Sequence, residues 1–149
     1  MAAVRTATAT WQGPLATGDG SVSAGTTGLF VDLPISWASR TEQPDGRTSP
    51  EELLAAAHAA CYAMAFSGEL GRAGHPPEEL HVEAEVTFDK LEGGWTVVSS
   101  ALTVLGRVEG LSDEEFDRLA EVAKDGCPIS RALAGNVALT VEATLETDG

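Results

Sequence analysis

Positive charge is scarce in this chain of 149 residues: nine lysines and arginines stand against 23 acidic residues, for a net charge of -14. That balance excludes the basic surface that nucleic acid or an anionic membrane requires, and its main consequence is solubility. Cysteine is scarcer still, with two, and there are three histidines. They show no ligand pair of the usual zinc spacing, so neither a metal nor a cofactor is expected. Two thiols are too few for a secreted disulfide scaffold and suit a reducing compartment, where they are redox groups or core residues. The N-terminal stretch MAAVRTATATW lacks the apolar core of a signal peptide, so a cytoplasmic location is expected. Repeats and low-complexity tracts are missing. The hydrophobic content of 43% excludes a disordered chain, and the length fits a single domain spanning 1–149.

What the sequence does contain is one conspicuous stretch, SPEELLAAAHAACYAMAFSGELGRAG, from Ser49 to Gly74. Ser49 as N-cap, Pro50 at the first helical position and Glu52 three residues after the cap give a helix start with a capping box. No Asp, Glu, Lys or Arg occurs from Leu53 to Gly68. A helix so apolar is expected to be buried on more than one side, while the run is too short and alanine-rich for a membrane span. Helical spacing aligns Leu54, Ala57, His58, Cys61, Met64, Ala65 and Gly68 on one stripe of mostly small residues. Gly71 and Gly74 offer the stop. In such a place a cysteine is ordinarily an inert core residue, and His58, one turn before it, reads as a packed core histidine rather than a base for the thiol.

Strands are expected around this helix. VRTATATW (4–11) alternates, Ser21 to Ala24 offers a short return strand, and Leu29 to Leu33 offers another, halted by Pro34. ISWASR leads into a polar loop. From His81 to Phe88 apolar and polar residues alternate; Leu91-Glu92-Gly93-Gly94 makes a turn, and Trp95 to Leu105 returns as the second arm of a hairpin. Ser112 and Glu115 start a second helix, over about 113–125, which Gly126 ends. Cys127 then precedes Pro128, a good first residue for another helical turn. Val137 to Leu145 alternates as a last strand, and the Thr147-Asp148-Gly149 tail is expected to fray.

The string TSPEELLAAAHAACYAMAFS resembles the signature helix of the OsmC/Ohr family, the osmotically inducible and organic-hydroperoxide-resistance proteins. It is nearest the OsmC branch, which has AHAAC where the Ohr branch tends to have GYAAC. Downstream, Asp125-Gly126-Cys127-Pro128-Ile129-Ser130 is similar to the family's CPVS-type segment, and the order of elements fits over nearly the whole chain. The resemblance implies an α+β fold, an intertwined homodimer with antiparallel sheets around a buried central helix. It also implies a thiol peroxidase that reduces organic hydroperoxides to alcohols.

In that scheme Cys61 attacks the peroxide and becomes a sulfenic acid. Cys127 condenses with it to a disulfide, and a dithiol, such as a dihydrolipoyl protein, reduces the bridge by exchange. The family pattern places an arginine ahead of the helix start. Arg40, which follows the aromatic Trp37, takes that position; Arg47, nearer the helix, competes for it, and which subunit supplies the arginine stays open. Glu51 matches the family glutamate. It precedes Cys61 by ten residues, roughly 15 Å along a helix axis, so an arginine must bridge the two. Trp37, Phe30, Phe66 and the Met64 region are candidates for an apolar entrance, with core packing as the alternative.

Elementary chemistry ranks the two thiols the other way. A thiolate, not a thiol, attacks peroxide. Burial in a helix interior raises the pKa of Cys61, whereas backbone amides at a helix start lower that of Cys127. Two other readings of the same fold stay open: a binder of an apolar metabolite with inert cysteines, and a thiol-based redox sensor.

Overall fold

The computed structural model describes residues 1–146, so the expected fraying of the 147–149 tail lies outside the described residues. The chain forms two compact units, Met1–Leu53 and the remainder from Leu54.

The first unit is built on an antiparallel sheet of β1 (Ala7–Gln12), β2 (Asp19–Ala24) and β3 (Leu33–Ile35), in that order. The β1–β2 turn needs Gly13 at φ +92°, a left-handed conformation open to glycine, and is closed by the Gly18 N–H on the Pro14 carbonyl at 2.7 Å. β3 differs from expectation: it begins where the sequence pattern was to end and runs through Pro34. An edge strand tolerates proline because it needs hydrogen bonds on one side only, and β3 pairs with β2 alone in the sheet. Residues Leu29 to Asp32 instead form a connection in which Asp32 adopts φ +53° and its N–H donates to Ser23 Oγ. A short helix α1, Ala38–Thr41, forms at the end of the ISWASR stretch, where no element was expected. Its start is fixed by Ser36 and Ser39, each backbone N–H donating to the other's hydroxyl at 3.1 and 3.2 Å.

α2 spans Pro50–Arg72. Ser49 Oγ accepts the Glu52 N–H at 3.1 Å, but the Glu52 carboxylate takes the Thr48 hydroxyl at 2.6 Å rather than reaching back to the cap. At the far end Gly74 turns left-handed at φ +87°, and the His75 N–H returns to the Leu70 carbonyl. With 23 residues α2 is long and apolar enough to cross a membrane by length and composition, which corrects the estimate made from the shorter charge-free run. Its buried residues mark it as a core helix: His58, Tyr62, Phe66 and Leu70 are all fully buried, four residues apart.

The second unit packs α2 and α3 (Asp113–Gly126) on a sheet of β4 (Glu79–Leu91), β5 (Gly94–Arg107) and β6 (Ala138–Leu145). β4 and β5 form the expected antiparallel hairpin, with a bulge at Thr87/Phe88. β6 lies parallel to β5. The α3 and α4 (Pro128–Leu133) segment supplies the crossover that such pairing demands. Leu102 and Val104 of β5, Phe116, Leu119, Ala120 and Ala123 of α3, and Tyr62, Phe66 and Leu70 of α2 make one core. Phe66 packs at a tilt against both Tyr62 and Phe116, with centroids 5.6 and 4.9 Å apart. Phe66 is therefore core and lines no entrance. The architecture is α+β.

Candidate active site

Two clusters of chemistry-bearing residues emerge, one in each unit. In the first, Arg40 of α1 grips Glu51 at the start of α2. Arg40 Nη2 donates to Glu51 Oε1 at 2.6 Å and Nε donates to the same carboxylate at 3.0 and 3.2 Å. The guanidinium carbon also sits 5.3 Å from the centre of the Trp37 ring. Glu51 is buried, so a fixed positive partner offsets the cost of keeping its charge out of water. Arg47 lies exposed in the loop after α1. Glu52, the other acid of the first helical turn, is exposed and serves the helix start.

In the second unit the two thiols meet. Cys61, near the middle of α2, and Cys127, between α3 and α4, carry free thiols and are neighbours. Cys127 is fully buried and Cys61 half-buried at the edge of the same core. The break between α3 and α4 aims Cys127. Its N–H closes α3 on the Ala123 carbonyl, its backbone is extended, and Pro128 starts α4.

Their surroundings divide them. Burial pushes the Cys61 thiol up, the Ile129 N–H offsets part of this, and the neighbouring Cys127 sulfur raises it again. Burial pushes Cys127 up as well. There it is outweighed by the polar groups around the sulfur, the Ser130 amide and hydroxyl, the Cys61 thiol and the Ile129 amide, which together leave Cys127 below its ordinary value, although the Cys127 side chain makes no close cap hydrogen bond with the start of α4. The pair titrates as one system. The shifts run in opposite directions, up for Cys61 and down for Cys127, the ranking that the helix-start argument gives.

Behind the thiols lies a polar chain through the core. His58 Nδ1 meets Ser100 Oγ at 2.6 Å and His58 Nε2 meets Ser130 Oγ at 2.8 Å, all three residues being buried. Burial presses the His58 pKa down, so the ring is neutral. Tyr62, the next buried residue along α2, donates its hydroxyl to the Ala120 carbonyl at 2.9 Å, and burial raises its pKa. Sequence reasoning had placed His58 in the core but missed Ser100 and Ser130 as its partners. The available signal for Ser100 was a polar residue in the same alternation phase as Leu102 and Val104. Among the described residues no cluster of three or more His, Cys, Asp or Glu side chains is arranged to hold a metal ion.

Comparison with known proteins places the chain in a family. Residues 43–142 match the family model described as OsmC-like protein. The chain is 38% identical over 129 residues to peroxiredoxin OsmC of Escherichia coli, covering 87% of this chain and 89% of that one. It is 29% identical over 126 residues to organic hydroperoxide resistance protein OhrA of Bacillus subtilis, covering 83% and 86%. The crystal structure of OhrB from Bacillus subtilis superposes with a TM-score of 0.70 at 27% identity, covering 93% of this chain and 98% of that one. With a family match over most of its length and two facing cysteines in the expected segments, the chain belongs to the OsmC-like family.

Proposed function

We propose that this protein is a thiol-dependent peroxidase that reduces organic hydroperoxides to alcohols. The observation that carries the reading is the pairing of two free thiols, Cys61 and Cys127, brought side by side from two distant segments of the chain. The names of its relatives, a peroxiredoxin and organic hydroperoxide resistance proteins, support it.

The proposed cycle starts from Cys61 as thiol and Cys127 as thiolate. Cys127 takes the proton of its neighbour Cys61, and the Cys61 thiolate attacks the outer oxygen of ROOH. The O–O bond breaks, Cys61 becomes a sulfenic acid, and the alkoxide receives the proton held on Cys127 and leaves as ROH. Cys127, again a thiolate, attacks the Cys61 sulfur, closes the disulfide and expels hydroxide, which takes up the proton that Cys127 released to solvent on ionising. A dithiol then reduces the bridge by two exchanges and is itself oxidised to a disulfide. Arg40, steadied by Glu51, is proposed as the cation that favours the Cys61 thiolate, following its place in the family pattern.

A homodimer and a cytoplasmic location belong to the same proposal. On α2, Ala56, Ala57, Ala60, Met64 and Ser67 are exposed, Met64 to 72%. β1 is exposed at each residue. A small, uncharged helix face of this kind suits close approach by a second copy.

The test is turnover with cumene hydroperoxide and a dithiol. Cys61→Ser is expected to abolish turnover, and Cys127→Ser to allow one oxidation and then stall. Sustained turnover by the Cys61 variant would overturn the mechanism.

A further inference from the structure

We infer that His58 is a positioning residue which fixes the Ser130 hydroxyl as a hydrogen-bond donor to Cys127, through a one-way chain that starts at Ser100. The inference rests on the proposal that Cys127 is a reacting thiol.

The direction follows from counting protons. A serine hydroxyl has one hydrogen, and a neutral imidazole has one donor and one acceptor nitrogen. Ser130 Oγ lies 2.8 Å from His58 Nε2, and Ser130 stands in the first turn of α4, three residues after Cys127, beside its sulfur. To donate to Cys127 it must accept from Nε2, which therefore carries the ring hydrogen. Nδ1 is then the acceptor, and Ser100 Oγ, 2.6 Å away, must donate to it. The chain reads Ser100 O–H to Nδ1, Nε2–H to Ser130, Ser130 O–H to sulfur. The opposite tautomer would draw the Ser130 hydrogen toward Nε2 and remove one donor from Cys127. No buried side-chain nitrogen or oxygen among the described residues lacks a partner, so the chain is fully satisfied, and burial protects it from competing water.

The ionisable groups facing these residues are few. Cys61 and Tyr62 of α2 face Cys127, and Glu121 of α3 acts on Tyr62. From α4, Ser130 and Ile129 are the neighbours of the sulfur. His58 faces two hydroxyls, and burial alone moves it. The chain thus has no charge to trade. Its effect on Cys127 is orientation, and it holds a thiolate ready for the bond-forming step with the Cys61 sulfenic acid.

The experiment titrates Cys127 alone, by thiolate ultraviolet absorbance in the Cys61→Ser protein, which needs no peroxide. Ser130→Ala is expected to raise the Cys127 pKa by about one to two units, the usual worth of a hydrogen bond to a charged group. His58→Phe is expected to raise it in the same direction. His58→Gln, whose amide N–H can replace Nε2–H, is expected to restore most of the original titration. A Cys127 pKa that stays put in both Ser130→Ala and His58→Phe, whatever their melting temperatures, overturns the inference. Ser130→Ala removes a single oxygen and keeps the test usable where the histidine variant fails to fold. A shifted titration in a protein that hydroperoxide does not oxidise would leave the relay standing and remove the peroxidase.

Discussion

Replacing Gly106 by alanine puts a methyl carbon 2.6 Å from Phe116 Cζ and 3.0 Å from both Phe116 Cε2 and Leu80 Cδ2. Ordinary carbon contacts are about 3.5–4.0 Å, so the ring must give way by about 1 Å. It has little room. Phe116 is fully buried and leans on Phe66, which leans on Tyr62, whose hydroxyl is tied to the Ala120 carbonyl. Relief therefore comes by shifting α3, and Cys127 closes the end of that helix. Overpacking of this kind costs about 1–3 kcal/mol. Urea unfolding of Gly106→Ala is expected to show a loss in that range, together with slower disulfide closure as Cys127 is displaced from Cys61. Gly126→Ala is the control: nothing lies within 4 Å of its new carbon, and it is expected to gain about 0.5–1 kcal/mol from helix propensity. A Gly106→Ala protein within 0.5 kcal/mol of the parent, roughly the noise expected of a neutral surface change, would refute the packing argument.

His58 gives the protein a pH dependence of known sign. Burial keeps the folded ring neutral after the unfolded one, at about 6.5, has taken its proton. The stability is therefore full above about pH 6.5 and falls as the pH drops from there toward the folded-state value, with a slope of up to about 1.4 kcal/mol per pH unit. Urea midpoints from pH 7.5 to 5.5 check this; His58→Gln should flatten the curve, and an equal slope in both proteins would contradict it. For Arg40→Met, thiol titration in a Cys127→Ser background is expected to show the Cys61 pKa rising by about one to three units. An unchanged titration would move the cation's role to Arg47.

Local patterns carried the second unit. The period-two alternation of β4, the Gly93-Gly94 turn and the Ser112–Glu115 helix start are each written in a few adjacent residues, and the structure has them where the pattern sets them. The phase of α2 was harder. The expected stripe followed the small residues around Cys61, but burial gain scales with area, so Tyr62, Phe66 and Leu70 set the inward face and Met64 turned out. The passage of β3 through Pro34 and the parallel pairing of β6 depend on partners distant in the chain. The site divided in the same way. The downward direction of the Cys127 shift was legible from its place before Pro128, while Ser100 and Ser130 became partners of His58 only through the packing of β5 and α4 against α2.

The central claim is that Cys61 and Cys127 of one chain are a reacting pair. One equivalent of cumene hydroperoxide added to the fully reduced protein, followed by non-reducing intact-mass measurement, tests it most directly. The account predicts loss of two hydrogens from the wild-type chain, with peptide mapping to a Cys61–Cys127 bridge, and gain of one oxygen at Cys61 in Cys127→Ser. An unchanged mass with both thiols still free, or oxidation that bypasses Cys61, would contradict it.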